Sequence, residues 1–210
     1  LLRFLAPWSP RIEGFSVKVN SAVDKSFLES ALDLRLVRSL EQLWVDQEVG
    51  GVPDFLQECT QLESLRVNSV GAAWMQSFHR CAPHLPNLRS FSVVCGGGYE
   101  GGLGNILLPT VRTATLEALP MSDALAFVRR NAGLRDLWLH FAVAGPPPAP
   151  DLWQEFRQIL ADHGQLQAVK MFFDFSDLAI VRHARVALGA MPDWRFETVV
   201  YDGDSVVGIY

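Results

Sequence analysis

One spacing recurs along the chain and restricts its fold more than any other feature. An apolar residue is followed three places on by a second, and two places further by a third. It occurs at Ile12-Phe15-Val17, Leu40-Leu43-Val45, Leu62-Leu65-Val67, Leu88-Phe91-Val93, Val111-Ala114-Leu116, Leu134-Leu137-Leu139 and Leu166-Val169-Met171. The starts at 12, 40, 62, 88, 111, 134 and 166 are 28, 22, 26, 23, 23 and 32 residues apart. One loose match means little in a Leu-rich chain, whereas seven in tandem at a nearly steady period mark a repeat. A drifted copy supports the unit: APWSPRIEGFSV at 6–17 and APHLPNLRSFSV at 82–93 align at one constant offset of 76. An eighth copy, Trp194 to Val199, fits less well because Glu197 falls on an inward position.

The segments between triplets read as helices. Ser122 and Asp123 are placed to cap ALAFVRRN, which ends at Gly133. Asp151 opens LWQEFRQILADH, with Leu152, Phe156, Ile159 and Leu160 on one stripe before Gly164. Ser176 and Asp177 open LAIVRHARVAL, which Pro192 bars from continuing. Helices also fit 24–34, 53–60 and 72–82. Each unit is then one short strand and one helix, too small to bury its apolar side alone, but stacked copies share a core. The expected fold is an α/β solenoid, a single domain over 1–210 of about seven to eight irregular repeats. Its parallel sheet lines the concave side and its helices the convex side.

This pattern resembles the leucine-rich repeat horseshoe, L-x-x-L-x-L, of the ribonuclease-inhibitor-like kind, over nearly the whole chain. It departs from the family where an Asn or Cys follows the last Leu by three places. Only Asn20 meets that rule; Glu48, Val70, Gly96, Leu119, Ala142 and Asp174 stand at the other positions. Loop backbone groups must therefore be satisfied unit by unit. The irregular lengths and Leu85-Pro86-Asn87-Leu88 are similar to the repeat regions of F-box proteins, especially fungal ones. That resemblance implies a substrate receptor of a cullin-type ubiquitin ligase, joined to its adaptor through an F-box that would lie upstream of Leu1. The chain starts with Leu, and LLRFLA reads as the tail of an earlier unit, so it is expected to be a piece of something longer. A freestanding regulatory module, an inhibitor or sensor unrelated to ubiquitin, is the alternative.

Two near-copies, LEQLWVDQ at 40–47 and LRDLWLHF at 134–141, place a Trp between inward aliphatics. Successive strand side chains face opposite ways, so both Trp residues should face the concave surface. The same position in every unit gives Ser16, Trp44, Arg66, Ser92, Thr115, Trp138, Lys170 and Thr198. At strand spacing the two tryptophans stand roughly 19 Å apart, four steps. Two residues on lies a flanking column of Lys18, Asp46, Asn68, Val94, Glu117, His140 and Phe172. Trp and Arg are enriched among binding hot spots, so the expected site is a protein-binding wall made by Trp44, Arg66, Ser92, Thr115, Trp138 and Lys170, with Asp46 and His140 beside them. The competing reading is that the tryptophans only cover the sheet or meet a terminal segment.

Other motifs point nowhere so definite. The Gly-rich CGGGYEGGLG at 95–104 lacks a phosphate-loop pattern and reads as a flexible surface connection, as does AGPPPAP at 144–150. His79, Cys81, His84 and Cys95 have a spacing open to zinc, but on a helix 79 and 81 face apart, so core filler is the better reading. Asp202-Gly203-Asp204-Ser205 reads as a turn between short strands. No catalytic triad or cofactor motif is present, so neither catalysis nor a cofactor is expected. A net charge of −5 without a basic run argues against nucleic acid or anionic membrane as partner. With three cysteines, no secretory leader and no membrane-length apolar run, the expected home is intracellular, cytoplasmic or nuclear.

Overall fold

In the computed structural model the described residues are 15–19, 40–45, 56–96, 99–141, 150–174, 186, 196–202 and 205–209. Their strands are β1 (Phe15–Val19), β2 (Leu40–Val45), β3 (Ser64–Val70), β4 (Ser90–Cys95), β5 (Thr113–Glu117), β6 (Asp136–His140), β7 (Ala168–Asp174), β8 (Phe196–Asp202) and β9 (Ser205–Ile209). They form one sheet in sequence order. Pairing is parallel from β1 to β8, and β9 runs antiparallel to β8.

The register places the aliphatic pairs side by side. Leu43, Leu65, Phe91, Ala114, Leu137 and Val169 are successive partners, as are Val45, Val67, Val93, Leu116, Leu139 and Met171. All are buried, and so are the leading residues Leu62, Leu88, Val111, Leu134 and Leu166. Burying an aliphatic side chain of this size is worth about 1.5–3 kcal/mol, which is why six neighbouring strands hold one parity.

Parallel neighbours need a crossover on one face of the sheet. Among the described residues three are helices: α1 (Ala72–Cys81), α2 (Met121–Arg130) and α3 (Pro150–Asp162). Trp74, Met75, Phe78 and Cys81 of α1 join the strand aliphatics in one core, with Ala124, Leu125, Phe127 and Val128 of α2. A run of stacked rings crosses it: Trp74 to Phe78 at 4.7 Å, Phe78 to Phe91 at 5.4 Å and Phe91 to Phe127 at 6.0 Å. These helices thus lie on the face that carries Phe91, and no described helix covers the face of Ser92.

Five strands, β3 to β7, are entered through the same backbone device. The N–H of Leu62, Leu88, Val111, Leu134 and Leu166 donates to the carbonyl three residues earlier, at Cys59, Leu85, Leu108, Asn131 and His163. The next residue then reaches back one unit. Glu63 donates to Glu41 O, Arg89 to Glu63 O, Arg112 to Arg89 O, Arg135 to Arg112 O and Gln167 to Arg135 O, at 2.7–2.8 Å.

Several expectations need correction. α2 starts at Met121 with Pro120 at its N-cap, so Ser122 and Asp123 lie inside the helix. It ends on Asn131, whose side chain donates to Phe127 O at 2.8 Å, two residues before Gly133. In α3 Trp153 is buried together with Phe156, Ile159 and Leu160, while Leu152 is only partly covered. The Gly-rich stretch is packed rather than loose from Tyr99 on: Leu103 is buried, and a Cβ at Gly104 would stand 2.5 Å from Ala126 Cβ. Gly101 and Gly102 have φ of +101° and +106°, which side chains on L-residues disfavour. Tyr99 Oη fixes the loop by donating to Asp123 Oδ2 at 2.6 Å while accepting from Leu103 N–H at 3.1 Å. Of the expected helix 53–60, residues 56–60 show a turn after helical Leu56. Helix 24–34 and the Pro-rich loop 144–149 lie outside the described residues, as does all of LAIVRHARVAL except Val186, which is helical. Among the described residues no helix is long and apolar enough to cross a membrane.

Candidate functional site

On the open face the expected column is assembled: Trp44, Arg66, Ser92, Thr115, Trp138 and Lys170 are successive register partners on β2 to β7. Its ends differ from expectation. A register shift after Phe15 sets Lys18, not Ser16, beside Trp44. At the other end Glu197, not Thr198, pairs with Lys170. The register departs from the triplet spacing by two residues in β1 and by one in β8. Glu197 thus stands in register with the column of Trp138 and Lys170.

Both tryptophans are outside the core, with Trp44 37% and Trp138 40% exposed. Each has a cation beside it on the following strand. The Arg66 guanidinium lies 4.6 Å from the Trp44 ring centre, and Lys170 Nζ 6.0 Å from that of Trp138. Exposed cation–π pairs contribute about 0.5–1 kcal/mol each, enough to bias the indole orientation without covering the ring. Ser92 and Thr115 between them are small, so the wall has two raised aromatic shoulders and a low, hydroxyl-lined floor.

The flanking column is partly assembled. Val94, Glu117, His140 and Phe172 are register partners. His140 stacks on Phe172 at 4.0 Å, and Phe172 meets Trp138 at 6.3 Å. Burial lowers the His140 pKa below its usual 6.5; Glu117 pulls it upward and Arg66 pushes it down further. Asn68 falls where the β3–β4 register shifts, and accepts a hydrogen bond from Arg66 Nε at 3.4 Å instead. Asp46 lies outside the described residues.

The suspected zinc residues do not converge. Cys81 is buried with its thiol donating to Phe78 O at 3.3 Å, whereas His79 and His84 are exposed. Among the described residues no three His, Cys, Asp or Glu side chains are grouped to hold a metal.

One column escaped the sequence reading. The residue after each leading aliphatic, Glu41, Glu63, Arg89, Arg112, Arg135 and Gln167, is exposed along one edge of the sheet. The spacing marks this column, since each member directly follows the leading aliphatic of a triplet. No protein-family model matches this chain, and no curated protein is significantly similar to it.

Proposed function

We propose that the chain is a leucine-rich repeat solenoid whose open, concave sheet face binds another protein without catalysis, as the substrate-recognition part of an F-box-type ubiquitin ligase receptor. The observation that carries the binding part is the pair of half-exposed tryptophans at one register position on β2 and β6. A sheet face needs no exposed Trp to be stable, and indole rings flanked by cations and hydroxyls are what a protein-binding wall uses as anchors. The successive parallel strands and recurring turns support the repeat reading. The F-box part rests on the resemblance of the irregular repeats and Leu85-Pro86-Asn87-Leu88, and names the ligase adaptor as second partner.

The test uses the full-length protein, with Trp44→Ala and Trp138→Ala combined. Partners captured by wild type and identified by mass spectrometry should bind the double variant at least about 30-fold more weakly, the scale of one hot-spot residue of about 2 kcal/mol. The melting transition should stay nearly unchanged; a large drop would make the tryptophans structural. Absence of the ligase adaptor from the captured set would remove the ubiquitin role and leave the freestanding module.

A further inference from the structure

The edge column carries a charge pattern of its own. From β2 to β7 it reads Glu41, Glu63, Arg89, Arg112, Arg135, Gln167: two acids, three bases, one neutral amide. The backbone bonds that join successive members hold them one strand step apart, so three guanidinium groups sit on consecutive strands whose backbones span about 10 Å. None of the three pairs with an acidic side chain among the described residues; the ion pair of Arg129 with Glu155, at 2.7 Å, lies on the helix side.

The arginines are not merely loose surface charge. Arg112 Nη1 donates to Gly133 O at 2.8 Å, and a Cβ on Gly133 would come within 2.6 Å of that nitrogen. The other N–H donors of Arg112 remain available. Beside it a cleft of about 240 Å³ is lined by Pro86, Asn87, Arg89, Thr110 and Arg112. Its walls are pinned, with Asn87 Nδ2 donating to Thr60 O at 2.8 Å and Thr110 Oγ1 to Leu88 O at 2.9 Å. Adjacent like charges on a fixed frame repel, and an anion shared between them turns that repulsion into charge-assisted hydrogen bonds.

Resting on the protein-binding reading above, we infer that this edge receives a carboxylate-rich segment of the bound protein. The segment crosses the strands with its acidic side chains over Arg89, Arg112 and Arg135 and a basic side chain toward Glu41 and Glu63. In an extended segment, side chains on one face repeat about every 7 Å, so two acidic residues span the arginine strip. Nucleic acid fits poorly. The strip is short, Glu41, Glu63 and Asp136 adjoin it, and the net charge of −5 opposes a long polyanion.

Fluorescence anisotropy tests this with a labelled peptide carrying two lysines, a short spacer and four glutamates. A peptide of equal composition with its lysines dispersed among the glutamates and a twelve-residue oligothymidylate serve as competitors. The segregated peptide should bind most tightly, more weakly at higher salt, and about tenfold more weakly to the Arg89→Gln, Arg112→Gln, Arg135→Gln variant. Glu41→Gln with Glu63→Gln should weaken it severalfold. Equal binding to wild type and the arginine variant, or tighter binding of the oligonucleotide, would overturn the inference. The Trp44→Ala, Trp138→Ala variant separates the two readings. If it loses the natural partner while the arginine variant keeps it, the edge is not used and the protein-binding face stands.

Discussion

Asn131 Oδ1 accepts the backbone N–H of Leu108 at 2.6 Å, bridging two adjoining turns inside the core. The same side chain donates to Ile106 O at 3.0 Å and Phe127 O at 2.8 Å, and its own carbonyl lies 3.3 Å from His163 Nε2. One residue thus satisfies the backbone of a preceding turn and of a helix end. Truncating it strands buried polar groups worth about 1–3 kcal/mol each. Asn131→Ala should therefore destabilise by about 3 kcal/mol or more in urea unfolding, with Asn131→Asp recovering little. A loss below about 1 kcal/mol would mean water replaces the amide.

The cysteines should be chemically silent in the folded protein. Burial pushes the Cys59 and Cys95 thiols up to about 12, with Cys81 and Glu58 adding to the rise at Cys59 and Asp123 at Cys95. A thiol-specific chromogenic reagent at pH 8 should label neither in native protein and all three cysteines in denaturant. Prompt native labelling would place these side chains outside the core.

His140 should make the fold sensitive to mild acid. Its folded pKa is lowered, so below about 6.5 the unfolded chain holds more protons than the folded one, and stability falls as pH falls. The melting temperature of wild type should drop more between pH 7.5 and 5.5 than that of His140→Gln. The comparison is between slopes, since the variant also loses the ring contact with Phe172. Equal slopes would remove His140 from the pH response.

Gly104 and Ala126 form a contact in which neither partner can rotate away. Gly104→Ala places a methyl group 2.5 Å from Ala126 Cβ and should cost about 1–3 kcal/mol. Ala126→Gly alone should cost about 1 kcal/mol through helix propensity. The double variant should be less unstable than the sum, a non-additivity that denaturant unfolding reads directly.

Much of this was legible in the spacing, and what was missed has physical reasons. Leu62-Leu65-Val67 through Leu166-Val169-Met171 set strand parity correctly, because one face of each strand is buried and a one-residue slip would expose every aliphatic. In β1 and β8 the apolar residues are too evenly spread to define phase, so the triplet spacing misplaces Phe15 and Thr198. Asn131 is not legible from the repeat rule, because the expected turn-satisfying residue lies three places after a triplet, whereas Asn131 lies three places before Leu134. Trp153 took the place of Leu152 because Phe141 offers it an aromatic partner at 5.8 Å, a tertiary contact that helical periodicity does not encode. The face of Trp44 and Trp138 followed from alternation alone. The cations over their rings followed only from the register.

The recurrent donation from each edge residue to the carbonyl of its counterpart one strand back uses main-chain atoms alone. Apart from Arg112, which also donates to Gly133 O, the side chains at those edge positions have no part in that ladder. Substitution there is bounded by charge and solubility rather than by shape, so that column is where a lineage of such proteins would most readily rewrite whom it recognises while keeping its frame.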